Sequence, residues 1–203
     1  MGAHPRPGLL SGLILNSPWL DMQGSPVLWR VMSPVTNALG RFTPLTELNV
    51  GIDTGLYRRS LNSSMDGEWD WDLQLKSNPG FVPRFGWGRA IMAGHAQVAK
   101  GLHIDTPILV MTSVRSNFAR TWDEAMHGQD IVLDVERIAA AAVHLGDQVT
   151  IRRFAGGVHD LVLSRRPVRE MIAGEVSRWL DAYVRPEGLI ERYRQELGEP
   201  PTA

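Results

Sequence analysis

Gln148-Val149-Thr150-Ile151-Arg152-Arg153-Phe154-Ala155-Gly156-Gly157-Val158-His159-Asp160 decides the fold. Its first half is rich in β-branched residues and reads as a strand, which Gly156-Gly157 stops in a tight turn that frees His159 from it. Val135 to Leu145, just ahead, is alanine-rich and dominated by strong helix formers, with Gly146 read as its C-terminal cap. Ahead of that helix, Pro107 to Thr112 is an apolar run of strand length. Beyond His159, Ser164 is read as the cap of a helix in which Val168, Met171, Ile172, Val176, Trp179, Leu180 and Tyr183 form one apolar stripe. Strand, helix, strand, helix is the pattern of an α/β fold with crossover connections.

Moving outward, Gly12 to Asn16, closed by Ser17-Pro18, reads as a third strand buried on both faces of a parallel sheet. The stretch 19–104 departs from the α/β pattern. It is rich in Pro, Gly and aromatics and offers only broken helical patterns, Pro26 to Leu39 and Arg89 to Lys100. We read it as a cap inserted between two strands, with 105–184 holding the remaining strands and their helices. The tail 185–203 reads as a charged segment with a short helix, Glu187 to Leu197. Three strands make a thin sheet, and the first is expected to leave an apolar edge at Leu13 to Leu15, open to association or aggregation.

The 203 residues, 43% hydrophobic and 21% charged, suit one globular domain. Lys and Arg number 21 against 22 Asp and Glu, so the net charge of -1 offers no field for nucleic acid. The absence of cysteine removes disulfides and thiolate chemistry. The apolar run Leu9 to Leu15 is broken by Ser11 and Gly12 and has no basic region before it, so neither a signal peptide nor a membrane span is read there. Arg6 stands where a myristoylation motif wants Ser or Thr. A cytoplasmic protein without cofactor is expected.

Asp130 lies between the second strand and the alanine-rich helix, and His159 follows the next strand. Loops at the C-terminal ends of parallel strands are where open α/β sheets place their active sites. A carboxylate there can orient an imidazole, and the imidazole can move a proton. Alone, either residue is more often structural; the ordered pair carries the functional reading. Asp134 is the second-choice acid, because its place before Val135 also suits a helix cap. Among six histidines, His127 and His144 show no paired metal-ligand spacing, so no metal site is expected. His95 and His103 are read as surface or helix-end residues.

Three ordered motifs resemble the α/β-hydrolases, in their serine-aminopeptidase (S33), monoacylglycerol-lipase and lysophospholipase-like branch. Gly12-Leu13-Ile14-Leu15-Asn16-Ser17-Pro18-Trp19-Leu20-Asp21 resembles the strand after the nucleophile helix. Gly128-Gln129-Asp130-Ile131-Val132-Leu133-Asp134 resembles the catalytic-acid loop, and Gly156-Gly157-Val158-His159-Asp160 the catalytic-histidine loop. The resemblance, from about Gly8 to Tyr183, implies a partial α/β-hydrolase fold: the C-terminal strands and helices of a mostly parallel sheet.

Such hydrolases place their serine in Gly-X-Ser-X-Gly, and this pattern is absent here; Ser11, Ser17, Ser25, Ser60, Ser63 and Ser64 all lack it. By the resemblance, the nucleophile and the oxyanion donors belong upstream of Met1, and a start codon assigned too late is the favoured explanation. The expected function is hydrolysis of a carboxylic or lipid ester through an acyl-enzyme, with the isolated chain inactive. The alternative is a non-catalytic hydrolase-like domain that binds a hydrophobic ligand or partner. Trp19, Trp69 and Trp71 are candidates for lining the substrate cleft. The competing and favoured reading is that the aromatics, with Phe81, Phe85 and Trp87, form the inserted segment's own core.

Overall fold

A computed structural model describes residues 10–24, 26–48, 54–72, 74–76 and 81–185; the expected tail helix and the segment ahead of residue 10 lie outside them. The chain runs through β1 (Leu13–Asn16), α1 (Pro26–Phe42), α2 (Leu56–Leu61), α3 (Phe85–Lys100), β2 (Ile108–Ser113), α4 (Val135–Ala142), β3 (Val149–Phe154) and α5 (Arg166–Tyr183). The strands form one parallel sheet in the order β1-β2-β3, with Leu13 opposite Ile108 and Ile108 opposite Val149. Each expected apolar run is therefore a strand.

β2 is buried at every position, as a central strand between two layers must be. The two-residue period of the strand then splits the core. Ile108 and Val110 join Leu15, Leu133, Ile138 and Leu145 on the α4 side; Leu109 and Met111 join Phe154, Leu161, Ile172 and Trp179 on the α5 side. Each such side chain contributes about 1.5–3 kcal/mol on leaving water.

β1 departs from the expectation of burial on both faces. Leu15 is buried, but Ile14 is 37% exposed, because β1 has a strand neighbour on one side only among the described residues. β3, the opposite edge, carries charge instead. Arg153 forms a two-pronged bond to Glu136 of α4 at 2.6 and 2.8 Å, and Arg152 lies 3.5 Å from Glu175 of α5. Alternating strand geometry sends the two arginines to opposite layers, and a charged edge resists pairing with another strand.

Gly146 is not the cap of α4, which ends at Ala142 with Val143 in the capping position. It pairs instead with Ile104, where a Cβ would stand 2.3 Å from the Ile104 carbonyl oxygen. Between β1 and β2, α1 continues through Pro34 and α3 begins at Phe85, so both are longer than their broken patterns suggested. Tertiary packing explains the extension: Gly40 lies against Phe85 and Arg89, and Gly88 against Leu48 and Thr36, so the missing Cβ atoms let the two helices close on each other.

Candidate active site

Asp130 is held first by its backbone. After β2 the chain returns through a short 3-10 turn, Glu124–Gly128, and Asp130 bridges to Ser116. Its N–H donates to the Arg115 carbonyl at 2.9 Å and its carbonyl accepts from Asn117 at 2.8 Å. The side chain is fully buried. Oδ1 accepts from the amides of Val132 at 2.8 Å and Leu133 at 2.7 Å, leaving Oδ2 facing His159 Nδ1 at 3.0 Å. A buried carboxylate is tolerated when its oxygens are bonded in this way.

His159 is placed by a turn that only glycine builds cheaply. Gly156 has φ 76°, and a Cβ on Gly157 would lie 2.6 Å from Leu161. The Asp130 and His159 loops meet through glycine as well, since a Cβ on Gly128 would come within 3.0 Å of Gly156 Cα. Ser164 is not the helix cap expected of it. Arg165 takes that position, and the Ser164 hydroxyl accepts from the Val158 amide at 3.1 Å, bracing the histidine loop.

Three further residues fix this loop. Asn16, at the C-terminal end of β1, donates from Nδ2 to Asp160 Oδ1 at 2.6 Å and accepts at Oδ1 from the Leu161 amide at 3.1 Å. Tyr57 of α2 stands edge-to-face with His159, ring centroids 5.7 Å apart. Burial raises its phenol above the ordinary value of 10.0 and the Asp160 carboxylate adds to the effect, while a bond from the Asp160 backbone opposes both. The phenol is thus a neutral donor across the physiological range. With Nδ1 directed at Asp130, His159 leaves Nε2 for other partners, and its side chain is 22% exposed. The arrangement can accept and return a proton.

No protein-family model matches the sequence, and no curated protein does. Solved structures do match in fold. A monoacylglycerol lipase from Paleococcus ferrophilus superposes with a TM-score of 0.59 at 19% identity, over 87% of this chain and 60% of that one. A soluble variant of monoglyceride lipase from Saccharomyces cerevisiae, in complex with a substrate analog, superposes with a TM-score of 0.52 at 16% identity, over 85% of this chain and 56% of that one. The fold is that of an α/β-hydrolase, in part. The chain spans about three fifths of the length of these structures, and at such identities the likeness concerns the fold.

Asp134 is a cap, its carboxylate accepting from the amides of Glu136 and Arg137 at 3.0 and 3.3 Å. Of the three tryptophans singled out, Trp19 alone lines a cavity of about 360 Å³, together with Trp29, Met32, Trp87, Ile91 and Met92; neither Asp130 nor His159 is in its wall. Trp69 donates to the Leu163 carbonyl at 2.7 Å beneath the Arg169 guanidinium, tying α2's surroundings to the segment after His159. Trp71 lies 4.9 Å from the Lys76 ammonium. His95 is half-buried and lies within α3: its Nε2 bonds to the Trp19 carbonyl at 2.9 Å and its ring packs edge-on to that indole. Among the described residues, no group of three or more His, Asp or Glu side chains is placed to hold a metal.

Asn16, Tyr57 and Asp160 were missed by the sequence reading. Asn16 had a signal, since a polar residue closing an apolar strand at its C-terminal end points to the site-bearing edge; Tyr57 had none, lying in the segment of weakest pattern.

Proposed function

We propose that this chain contributes the acid–histidine half of a serine-hydrolase site that cleaves a carboxylic ester with an apolar acyl group. His159 acts as general base and then acid; Asp130 orients it and stabilises its charged form. Asp134 is given no catalytic part. The supporting observation is the 3.0 Å contact between His159 Nδ1 and a fully buried Asp130, whose other oxygen is occupied by two amides. The likeness in fold to two monoglyceride lipases agrees with an ester substrate. We assign the nucleophile to no residue here, since no serine lies in Gly-X-Ser-X-Gly. Exposure of the purified 203-residue chain to a fluorophosphonate probe tests the assignment: no labelling is expected, and a labelled serine would overturn it.

A second reading is favoured by the cavity between α1 and α3, which is almost wholly apolar and separate from His159. On that reading the domain holds a hydrophobic ligand without turning it over. Titrating a fluorescent fatty ester into the wild-type chain and into His159→Ala distinguishes the two: saturable binding of equal affinity in both would favour binding alone, and affinity lost in His159→Ala would favour the ester site.

A further inference from the structure

Asp130 is fixed from several directions, whereas the His159 imidazole is hydrogen-bonded, among the described residues, through Nδ1 alone. One hydrogen bond sets a distance and leaves the ring free to turn about the Nδ1···Oδ2 line. A catalytic base must be held within roughly 10–20° of its working orientation. The missing restraint comes from the chain between β1 and β2. Tyr57 of α2 sets its ring at 76° to the imidazole, centroids 5.7 Å apart, and the Asp160 N–H points at its phenol oxygen. A ring packed across the imidazole removes that rotation, and an aromatic pair in this edge-to-face arrangement is favourable in itself.

A helix of six residues does not hold its place unaided. Residues 54–72 hold α2 by closing on themselves. The Trp69 amide donates to the Leu61 carbonyl and the Ser63 amide to the Trp69 carbonyl, both at 2.8 Å, and a Cβ on Gly67 would stand 1.9 Å from the Leu61 carbonyl carbon. Ser60 Oγ donates to the Tyr57 carbonyl at 2.8 Å within the helix. This closed unit grips both loops of the site. On the histidine side, Trp69 Nε1 donates to the Leu163 carbonyl at 2.7 Å, and Arg169, 4.7 Å over the Trp69 ring, pairs with Glu68 at 3.0 Å. On the acid side, Arg59 is paired with Asp66 and lies 4.4 Å over Trp122, whose ring meets His127 edge-on at 5.1 Å. His127 stands three residues ahead of Asp130. The crevice among Ser60, His127 and Val158, where the three pieces of chain meet, holds about 10 Å³, room for one water at most. They therefore pack directly, and a shift in the segment is felt by both loops.

We propose that residues 54–72 act as a bracket that sets the orientation of His159 against Asp130, with Tyr57 as its positioning residue. This rests on the reading of Asp130 and His159 as a catalytic pair. Two loops from separate strands are held in register by a third piece of chain that supplies no reacting atom. Nuclear magnetic resonance of the full chain tests it through the His159 Nδ1 proton, which is expected to exchange slowly with solvent in the wild type. Tyr57→Leu should speed that exchange about two- to tenfold, the worth of one aromatic pair. The Val132 and Leu133 amides, bonded to Asp130, should exchange as before. General loosening of the fold would speed all three alike, so the split marks positioning. Tyr57→Phe keeps the ring and should exchange as the wild type does. Trp69→Phe alters no group in contact with His159 or Asp130, yet frees the segment from Leu163 and should speed Nδ1 exchange in the same sense. Should Tyr57→Leu unfold, the contrast between Tyr57→Phe and Trp69→Phe decides. A wild-type proton on Nε2 would overturn the catalytic pair and the bracket together. With the proton on Nδ1, three results would overturn the bracket alone: exchange unchanged in Tyr57→Leu or in Trp69→Phe, exchange sped in step with the two amides, or Tyr57→Phe as fast as Tyr57→Leu.

Discussion

Replacing Asp130 separates two jobs done by one carboxylate. Asn keeps an acceptor for the Val132 and Leu133 amides but turns an N–H toward His159 Nδ1, so the charge-assisted contact at 3.0 Å is lost. That contact is worth about 1.5–3 kcal/mol. The side chain is fully buried, so no water replaces it. Asp130→Ala loses the same contact and also strands the two amides. A buried unsatisfied donor costs about 1–3 kcal/mol, and the Leu133 amide, whose bond is buried, takes that cost in full while the part-buried Val132 bond loses less. Asp130→Ala should therefore be less stable than Asp130→Asn by about 2 kcal/mol or more in urea denaturation. In long-range proton–nitrogen spectra, wild-type His159 should carry its proton on Nδ1, and Asp130→Asn should move it to Nε2. Equal stability of the two variants, or an unchanged tautomer in Asp130→Asn, would refute the geometry from which these values come.

Further expectations follow from single contacts. Asn16→Ala removes both bonds that tie β1 to the histidine loop; a loss of about 1–2 kcal/mol and faster exchange of the Leu161 amide are expected, and unchanged exchange would count against the clamp. Gly146→Ala drives a Cβ toward the rigid Ile104 carbonyl and should cost about 1–3 kcal/mol in chemical denaturation, whereas Gly94→Ala, with nothing near it, should not destabilise. Burial holds the His95 pKa below the ordinary 6.5, the Trp19 carbonyl only partly opposing it. The unfolded chain therefore takes up this proton before the native one, so stability from neutral His95 is complete above pH 6.5 and lost as pH falls below it. From about pH 7.5 to 5, Tm should fall more steeply in the wild type than in His95→Gln, and parallel slopes would contradict the assignment.

Each strand of the sheet could be read from a short apolar run between turn residues, and α5 from its stripe, because pleat and helical period are local properties of the chain. The order of Asp130 and His159 along consecutive strand ends was equally local. Where neighbours are distant in sequence, the reading stopped. Asp130 and Asp134 share one loop and one chemistry. Packing alone assigned the first to His159 and the second to the start of α4. Ser164 and Gly146 bear the residue types of helix caps, yet are recruited by Val158 and Ile104, partners that no cap pattern includes. Asn16 meets Leu161 across 145 positions, and Tyr57 reaches His159 from a helix too short to announce itself. In α1 only a broken helical pattern was legible, and which face turns outward depends on what α3 covers. Sequence by itself therefore determined the three strands, α4 and α5 and their order; the tertiary structure decided the extent of α1 and α3, the presence of α2, and partner, burial and exposed face, since these depend on side chains meeting through space.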